Sequence, residues 1–391
     1  MNIAMIVHAY YLKDARVRRY AEALAREGHR VEVYCLREGN EPRVEKKLGV
    51  LIYRIRVTRK RGSKLAYLGE YAKSLILFFI KLNIAGLAGR RYSLVHIHNF
   101  PNLLIFSAIV QKYCGAKLIL DVHDPMPELF QSKFKIKRKS LFIKILEYEE
   151  KLSLKFADYI ITAAHSFEDI LVRRGCPPEK ISVIVNSPDD TFWRPLPALK
   201  KDGFEVLYIG TIAERYGLNT LLDAAAILRR RGTIPNLKLK IIPKIQNEGE
   251  YFYTFLKDVR RRGLSDLVEL AEPVSQDQMP MVIAGCDVSV YTPIPDIHMD
   301  IALSLKIPEV IAAGKPVVAS RLSVLLRYFG EDGLYLFDPG DAEQCADRIT
   351  DIYMNPLGAK EKVGRAQAAL RTIGWGRQKK AYFAIVESLL A

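Results

Sequence analysis

Short apolar segments alternate with amphipathic helical patterns along almost the whole chain, and this alternation restricts the possible folds more than any other feature. Residues 3–8 form an apolar run, residues 16–27 form an amphipathic helical pattern closed by Gly28, and residues 31–36 form a second apolar run. The scheme continues as far as residue 185. Apolar strands that are each followed by a helix are typical of parallel sheets covered on both faces, so we predict an α/β protein.

The alternation breaks once, at residues 186–203, and then starts again. This segment, NSPDDTFWRPLPALKKDG, is rich in proline, aspartate and lysine, which is typical of a linker. The length of 391 residues suits two domains. We therefore predict a doubly wound, Rossmann-like domain over residues 1–190, a linker over 191–203 and a second such domain over 204–374. Ligands should bind in a cleft between the facing domains, at the carboxyl ends of the strands.

The composition favours a soluble protein with a full core, since 49% of the residues are apolar and 26% are charged. The five cysteines are scattered and lack the spacing of a metal site, which favours a reduced, cytoplasmic compartment. The first residues lead directly into an apolar strand pattern, without the basic segment or cleavage site of a secretory signal. No window contains the ~18 apolar residues that a membrane-spanning helix needs.

The chain is strongly basic, with a formal net charge of +15. Such a charge attracts nucleic acids, anionic membranes and anionic substrates alike. Basic clusters at residues 54–64 and 133–139 adjoin long apolar helical patterns, and no nucleic-acid-binding motif with stacking aromatic residues is apparent. We therefore expect an anionic membrane surface as a partner, and no nucleic acid. The helical pattern 65–88, after the first cluster, fits either an interfacial helix or a buried core helix.

Residues 303–320, LSLKIPEVIAAGKPVVAS, have the pattern of a short helix, a tight turn and a buried strand. Pro308 has no N–H group and fits only in the first turn, so the helix should begin between residues 304 and 308. Gly314 suits the turn after the helix. Residues 316–319 have the apolar, β-branched character of an interior strand.

Lys306 and Glu309 bring a cation and a carboxylate to the start of this helix. They are three residues apart and therefore share one face, at the positive end of the helix dipole. A cation, free amide groups and a carboxylate together suit a ligand that carries both phosphates and hydroxyls, such as a nucleotide-sugar. Taken alone, the same pair also fits a solvated surface helix.

This segment resembles the signature K-x-x-E-x-x-A-x-G-x-P-V-V of the retaining GT-B glycosyltransferases, the large group 1 family. The resemblance implies two Rossmann-like domains, with Glu309 on the ribose hydroxyls of the donor and Lys306 near its diphosphate. Many members have a second glutamate eight residues upstream, near the donor sugar, where this chain has Ile301 and, one residue away, Asp300. The family also implies that the last helical pattern, within residues 375–391, packs back on the N-terminal domain.

Residues 210–217, GTIAERYG, form a glycine-bounded loop that opens onto the helical pattern 218–230. Glycine lets the backbone approach a ligand, and the amides of the helix start point outward, so such a loop suits an anion. The family loop is G-R-x-x-x-x-K-G, with both basic residues on the diphosphate; here threonine and tyrosine replace them. We predict that Gly210 and Arg215 bind the donor, with a solvated Arg215 as the alternative.

The turn after the predicted strand 117–121 carries His123 and several acids. Such a position faces the ligand cleft of a doubly wound domain. The sequence also resembles the family's v-H-D turn, whose histidine approaches the donor sugar. We therefore predict that His123 is catalytic, with a structural hydrogen bond in the turn as the alternative. Asp124 and Glu128 are predicted to bind acceptor hydroxyls, although Glu128 also suits the first turn of a following helix.

Two further strand ends carry polar side chains. His98 and Asn99 follow the predicted strand 94–97 and are similarly placed. After the first strand, family members often have paired glycines, which this chain lacks, so the backbone cannot approach a ligand as closely. We predict that Asp14 and Arg16 bind the acceptor through their side chains, with a salt-linked helix start as the alternative.

The resemblance implies a cytoplasmic, retaining glycosyltransferase that moves a sugar from a nucleotide diphosphate donor to an acceptor hydroxyl, without a metal or another cofactor. Arg215, Lys306 and helix N-termini would neutralise the leaving diphosphate. No side chain looks like a nucleophile, which favours a same-face displacement through an oxocarbenium-like state. A lipid-linked saccharide or surface glycan at the inner face of the cell membrane would explain the basic, apolar N-terminal surface. A nucleotide-sugar 2-epimerase of the same fold and a non-catalytic nucleotide-sugar-binding scaffold remain as alternatives.

Overall fold

The computed structural model describes residues 1–57, 64–87, 89, 91–189, 192–197, 201–243 and 250–391. The chain divides into two compact units. Unit 1 consists of Met1–Asn186 with Gln378–Ala391, and unit 2 consists of Ser187–Arg377. Within the described residues, no helix has the length and hydropathy needed to cross a membrane.

The described part of unit 1 forms a single sheet of eight strands. They are β1 (Asn2–Tyr10), β2 (Arg30–Leu36), β3 (Val44–Lys47), β4 (Val50–Ile55), β5 (Leu94–His98), β6 (Lys117–Val122), β7 (Tyr159–Thr162) and β8 (Ile181–Val183). Their spatial order is β3-β4-β2-β1-β5-β6-β7-β8. All neighbours are parallel except β3 and β4, which form an antiparallel hairpin at one edge. The expectation of a purely parallel sheet is therefore wrong at this edge, where β3, of sequence VEKK, is largely exposed.

Helices cover both faces of this sheet. Those of unit 1 in the described ranges are α1 (Ala15–Arg26), α2 (Lys64–Leu87), α3 (Ile109–Tyr113), α4 (Met126–Phe134), α5 (Leu141–Phe156) and α6 (His165–Arg173). The connections from β4 through β5, β6 and β7 to β8 all step in one direction, so right-handed crossovers place α2 to α6 on one face. The connection through α1 steps the other way and places α1 on the opposite face. The 3-10 helix Asn102–Ala108 packs against both α2 and α5.

Unit 2 repeats this scheme on a smaller sheet. Its strands within the described residues are β9 (Phe204–Gly210), β10 (Leu237–Pro243), β11 (Val268–Leu270), β12 (Val288–Tyr291), β13 (Val317–Ser320) and β14 (Tyr335–Phe337). Their order is β11-β10-β9-β12-β13-β14, with every pair parallel. The helices are α7 (Leu218–Arg231), α8 (Glu250–Arg261), α9 (Met279–Gly285), α10 (Lys306–Ala312), α11 (Ser323–Phe329), α12 (Ala342–Met354) and α13 (Pro356–Ile373).

The last helix, α14 (Trp375–Leu390), belongs to unit 1 from Gln378 onward. Its Tyr382 is fully buried, and the Tyr382 ring centroid lies 4.3 Å from that of Tyr20 in α1. The side-chain oxygen of Gln378 accepts a hydrogen bond from the backbone N–H of Val185 at 2.8 Å. This C-terminal segment therefore covers the α1 face of the unit 1 sheet.

The α/β class with two parallel-sheet units is confirmed, and several local predictions match closely. The helix predicted within residues 303–320 is α10, Gly314 after it has a φ of +79°, and the strand that follows is β13. Helix α4 has Glu128 in its first turn, as the alternative for that residue indicated, whereas the β3–β4 hairpin was not predicted. β3, of sequence VEKK, is too short and polar to show a strand pattern, whereas the apolar run VLIYRI of β4 shows one that the sequence analysis missed.

Candidate functional site

Unit 2 places a loop and a helix start at the switch point of its sheet. β9 and β12 are neighbours, but the connections that follow them run in opposite directions. The carboxyl ends of such a strand pair flank the crevice in which doubly wound sheets bind their ligands. The loop 211–217 leaves β9 at this place, and the segment 292–305 leaves β12 and leads into α10.

Backbone contacts hold this loop against the segment after β12. Gly217 has a φ of +62°, and a Cβ atom there would lie 1.8 Å from the carbonyl oxygen of Thr292, so only glycine fits. The Thr292 hydroxyl donates to the Tyr216 carbonyl at 2.9 Å. The Ile294 N–H donates to the Arg215 carbonyl at 3.2 Å. The position of the Arg215 backbone is therefore determined by β12 as well as by β9.

Gly210 is the last residue of β9, whereas the sequence placed it in the loop. A Cβ atom at Gly210 would lie 2.9 Å from the hydroxyl oxygen of Tyr208. That hydroxyl donates to the Thr211 carbonyl at 3.0 Å. The glycine therefore has a packing reason that the sequence analysis did not find, and its contact with the donor stays a prediction.

The Arg215 guanidinium lies beside the segment after β12. Its Nη2 is 3.3 Å from His298 Nδ1 and 2.8 Å from Met299 Sδ. Its Nε is buried and has no hydrogen-bond partner among the described residues. Asp296 fixes the turn that carries both neighbours, because its carboxylate accepts from the N–H groups of His298 and Met299. Arg215 is thus held in place, with one buried N–H group that no described protein atom accepts.

Lys306 and Glu309 lie in the first turn of α10, and both are half-buried. Their shared face, expected from the spacing, follows from the observed helix. Asp300, the acid beside Ile301, is used elsewhere in the fold. Its carboxylate accepts from the Ser323 N–H at 2.8 Å and its carbonyl accepts from the Val324 N–H at 3.1 Å. Asp300 therefore fixes the start of α11.

Unit 1 gathers its polar side chains at the corresponding place, where β1 meets β5 and β6. At the centre is Asp121, near the end of β6 and fully buried. Arg16, in the first turn of α1, donates from Nε and Nη2 to the two Asp121 carboxylate oxygens, both at 2.9 Å. Arg16 Nη1 donates to the Ile184 carbonyl at 2.7 Å. The predicted acceptor ligand Arg16 is thus part of a buried ion pair, which agrees with the alternative of a salt-linked helix start.

Three histidines surround the carboxylate of Asp121. His98 Nδ1 lies 3.3 Å, His123 Nε2 lies 3.5 Å and His96 Nε2 lies 3.8 Å from its Oδ2 atom. His98 Nδ1 is also 3.1 Å from His123 Nε2, and His96 Nδ1 is 2.9 Å from the Tyr382 hydroxyl. The side chains of His96 and His98 are inaccessible, whereas that of His123 is 18% exposed. His123 is thus the member of this cluster that reaches the surface.

Burial and charge set the ionisation of the cluster. Burial alone would raise the pKa of Asp121, but the charge of Arg16, with His123 and His98 close by, holds that pKa well below its usual range. Burial lowers the pKa values of His96 and His98. At neutral pH the cluster therefore contains an ionised Asp121–Arg16 pair and two neutral imidazoles.

His96, His98 and Asp121 also have the residue types of a metal site. Each offers one ligand atom, and the three atoms lie within 4.8 Å of one another. However, both carboxylate oxygens of Asp121 already accept hydrogen bonds from Arg16. The guanidinium supplies the positive charge at this carboxylate and repels a second cation. The group fits a hydrogen-bonded support for His123 better than a metal centre.

Asn99 fixes the backbone of the turn that carries His123. Its side-chain oxygen accepts from the His123 N–H at 2.8 Å, and its amide donates to the Asp124 carbonyl at 2.9 Å and to the Asn102 side chain at 3.0 Å. Asp124 itself is half-buried. The structure therefore brings His98, the last residue of β5, together with Asn99 and His123.

The other predicted acceptor residues have structural partners. Asp14 is the N-cap of α1, and its carboxylate accepts from the Val17 N–H at 3.0 Å. Glu128 lies in the first turn of α4 and forms an ion pair with Arg174. The same arginine pairs with Glu150 at 2.6 Å. Acceptor binding by Asp14, Arg16, Asp124 and Glu128 stays a prediction.

Asp121 is the residue that the sequence analysis missed. It is a charged residue within the otherwise apolar run LILDV of β6. Aspartate is almost never fully buried without a partner, so its place in an apolar strand is itself a signal of a buried ion pair. The identity of the partner was not readable, because Arg16 is 105 residues away in the chain.

Two family models match the chain, one on each half. The model described as glycosyl transferase 4-like domain matches residues 14–187. The model described as glycosyl transferases group 1 matches residues 189–369.

Two curated relatives are similar over most of the chain. The MMP alpha-(1->4)-mannosyltransferase of Mycolicibacterium hassiacum is 25% identical over 405 residues, which cover 96% of this chain and 94% of the relative. The chitobiosyldiphosphodolichol beta-mannosyltransferase of Debaryomyces hansenii is 25% identical over 337 residues, or 78% of this chain and 69% of the relative. Both are named as transferases, so they lend no support to the epimerase alternative.

Solved structures share the fold over the full length. The sucrose-phosphate synthase of Thermosynechococcus elongatus matches with a TM-score of 0.77 at 19% identity, covering 99% of this chain and 98% of that one. The HepE protein of Anabaena, in complex with UDP-glucose, matches with a TM-score of 0.70 at 16% identity, covering 99% and 100%. These likenesses show the GT-B fold. With both family models, they show that the chain belongs to the group 1 family and is a GT-B glycosyltransferase.

Proposed function

We propose that this glycosyltransferase takes its sugar from a nucleoside diphosphate donor that unit 2 binds. The observation that carries the proposal is the presence of Arg215, Lys306 and Glu309 on adjoining segments at the switch point of unit 2. Two cations offset the charge of a diphosphate, and a carboxylate accepts hydrogen bonds from sugar hydroxyls. The UDP-glucose bound to HepE, a protein of the same fold, supports a donor of this class.

Each of the three side chains contacts a different part of the donor in this proposal. Arg215, which keeps a buried Nε without a protein partner among the described residues, contacts the diphosphate. Lys306 contributes the second positive charge, and Glu309 accepts from the ribose hydroxyls. Charge that develops on the leaving diphosphate then meets cations that are already in place, which stabilises the transition state more than the ground state.

His123 acts on the sugar in this proposal. It reaches the surface from a buried cluster that fixes its position, so its hydrogen bond to the donor sugar needs little reorganisation as the glycosidic bond breaks. The Asp121 carboxylate lies 3.5 Å from His123 Nε2, but Arg16 occupies both its oxygens, which makes it a poor nucleophile. We therefore propose retention through a same-face displacement, in which a leaving phosphate oxygen takes the proton of the acceptor.

The rival stereochemical outcome is inversion, with His123 as the general base that deprotonates the acceptor. The anomeric configuration of the product, read from proton NMR coupling constants, decides between them. Retention of the donor configuration supports the same-face route. An inverted product would mean that His123 is the general base and would reject the same-face displacement.

We further propose that the acceptor is a lipid-linked saccharide or a surface glycan at the inner face of the cell membrane. One relative is named as acting on a chitobiosyl diphosphodolichol, which is lipid-linked. The basic balance of the chain, with a formal charge of +15, favours an anionic membrane. In this proposal unit 1 carries the acceptor, and the enzyme is cytoplasmic and peripheral.

The proposed mechanism needs no metal, because Arg215 and Lys306 supply the positive charge at the diphosphate. Transfer should therefore continue at an unchanged rate in EDTA. Loss of activity in EDTA, restored by added Mg²⁺ or Mn²⁺, would contradict this part of the proposal.

A panel of radiolabelled nucleoside diphosphate sugars, offered with lipid-linked and soluble saccharide acceptors, tests the function as a whole. Transfer predicts label in the acceptor together with stoichiometric release of nucleoside diphosphate. A thermal-shift screen selects the donors first, because a ligand that binds only the folded state raises its stability. Donor binding without any transfer across the panel would instead support the scaffold alternative.

A further inference from the structure

Helix α5 presents an apolar stripe to the solvent. Leu141, Ile145, Tyr148 and Leu152 follow the spacing i, i+4, i+7 and i+11, so they lie on one side of the helix. Their exposed fractions are 73%, 55%, 64% and 40%. A helix on the surface of a globular protein normally turns polar residues outward, so this stripe lacks the cover that its chemistry requires.

Helices α2 and α3 extend the same surface. Both lie on the α5 side of the sheet, and the 3-10 helix Asn102–Ala108 packs against α2 and α5. Several of their outward positions are again apolar. The exposed large apolar residues are Ile76, Phe79, Ile80 and Ile84 on α2 and Val110 and Tyr113 on α3. We call these residues and the α5 stripe the apolar face of unit 1.

The charges beside the apolar face are positive. Lys144, Lys151 and Lys155 are exposed and form a row along one side of the α5 stripe. Of the three acids in this helix, Glu149 and Glu150 are buried, and Glu147 is half-buried beside the row, so it offsets one of the three positive charges. On α2, Lys73 and Lys81 are exposed, whereas Glu70 is buried. Residues 137–139, of sequence KRK, are also exposed and lead into α5.

We propose that the apolar face of unit 1 docks on an anionic lipid bilayer. This inference rests on the membrane-linked acceptor proposed above and names the surface that would bring the enzyme to it. The apolar side chains would enter the boundary between headgroups and acyl chains, and the lysines would keep their ammonium groups among the lipid phosphates. Residues 58–63 of the basic cluster predicted at residues 54–64 lie outside the described residues and are not needed for this surface.

A bilayer fits this face better than a second protein does. In a symmetric dimer built on the face, the lysine rows of both copies would lie in one interface, and the half-buried Glu147 of each copy would offset only part of their charge, which costs affinity. In a bilayer the apolar side chains would reach the acyl chains, and the lysines beside them would lie at the level of the anionic phosphates.

Co-sedimentation of the full chain with phosphatidylserine–phosphatidylcholine vesicles tests the proposal. The triple variant Lys144→Glu, Lys151→Glu, Lys155→Glu should bind about a hundredfold more weakly than the wild type. The matched control reverses three exposed cations of unit 2, Lys257, Lys360 and Arg371, and changes the net charge equally. It should retain most of the vesicle binding. Equal losses in both variants would overturn the proposal, because net charge alone would then explain the binding.

A tryptophan at position 148 tests whether the stripe enters the bilayer. Its fluorescence in Tyr148→Trp should be quenched by lipids with brominated acyl chains, whereas Tyr253→Trp, at an exposed site of unit 2, should not be. Equal quenching at both sites, or none at position 148, would reject insertion of this face. Analytical ultracentrifugation tests whether a second copy of the chain occupies the face instead. If the wild type forms a dimer and the double variant Ile145→Ser, Leu152→Ser does not, the face is a dimer interface and the proposal is rejected.

Two readouts separate this proposal from the proposed function. Binding of nucleoside diphosphate and transfer to a soluble acceptor analogue should be the same in the lysine variant as in the wild type, because unit 2 is untouched; this also shows that the variant folds. Only transfer to a lipid acceptor in vesicles should fall. If soluble transfer is absent from the wild type, the proposed function fails, whereas vesicle binding still decides the surface.

Discussion

The candidate sites of the two units hold their side chains in opposite ways. In unit 1, His123 rests on a fully buried carboxylate that Arg16 neutralises from a helix in another part of the chain. In unit 2, Arg215, Lys306 and Glu309 are half-buried, and mostly backbone contacts fix the loop that carries Arg215. In unit 1 a change to the site therefore also changes the stability of the fold. In unit 2, binding and stability should be separable by mutation.

The largest effect should come from removing Arg16. Arg16→Met leaves the carboxylate of Asp121 buried without its partner, which typically costs about 3–5 kcal/mol of folding stability. Hydrogen exchange of the β1, β5 and β6 amides as a function of urea measures the loss in unit 1. The control is Arg18→Met, which removes a partly exposed pair with Glu22 and should cost less than about 1 kcal/mol.

The double variant Arg16→Met, Asp121→Asn makes this test sharper. Asparagine removes the orphaned charge, so the double variant should be more stable than Arg16→Met alone. If it is less stable by the sum of the two single losses, the ion pair is not the element that holds the cluster together, and the contrast between the units fails.

The second effect should appear in turnover. His123→Ala should lower kcat about a hundredfold or more, because a hydrogen bond that strengthens in the transition state is lost. Affinity for the nucleoside diphosphate should be unchanged, since unit 2 binds it. Steady-state kinetics and calorimetric titration measure the two quantities. His29→Ala, in the turn before β2, is the control. Full activity of His123→Ala would leave this histidine with a purely structural role in the turn.

The same contrast explains how much the sequence could reveal. The pattern of residues 303–320 predicted α10, the turn at Gly314 and β13, because the signals for a helix start, a turn and a strand all lie within one short segment. The alternation of strands and helices was equally local, and it predicted the two parallel-sheet units. Where the pattern was short and polar, as in β3, the element was missed.

The site of unit 1 could be predicted only in part. The sequence analysis placed His98, Asn99 and His123 at the ends of two strands; that these strands are neighbours, so that the three residues meet, is a finding of the structure. The pairing of Arg16 with Asp121 depends on which helix start faces which strand end, and no short segment contains that information. The sequence likewise does not show that the Tyr208 hydroxyl lies against Gly210, so it offers ligand binding as the reason for this glycine.

The third effect concerns binding in unit 2. Glu309→Gln and Lys306→Met should each weaken nucleoside diphosphate binding about tenfold to a hundredfold, as the loss of a charge-assisted hydrogen bond costs about 1.5–3 kcal/mol. The melting temperature should hardly change, in contrast to Arg16→Met. Lys360→Met, at an exposed site of the same unit, is the control for titration calorimetry. Wild-type affinity in both site variants would remove the donor site from α10.

The smallest effect is a pH dependence that is larger in unit 1 than in unit 2, where burial also raises the pKa of Glu205. Burial raises the pKa of Glu149 and of Glu150 to about 7, from a usual value of 4.5. The folded state therefore binds protons more tightly than the unfolded state, and the contribution of each group to stability is lost as the pH rises through 7. The loss should be about 1 kcal/mol for Glu149 between pH 6 and pH 8. His96 and His98, whose pKa values are lowered, act in the opposite sense, because they destabilise the fold as the pH falls below 6.5.

Glu149→Gln separates these two contributions. The amide cannot ionise, so the variant should lose less stability than the wild type between pH 6 and pH 8, while the loss on the acidic side, due to the buried histidines, persists. Hydrogen exchange of α5 and β5 amides at several pH values measures both slopes. Glu147→Gln removes an acid from the same helix without removing a buried one and serves as the control. If the stability of unit 2 changes with pH as steeply as that of unit 1, the buried carboxylates Glu149 and Glu150 are not the source of the pH dependence. The two units would then differ in how they hold their site residues but not in how their stability depends on pH.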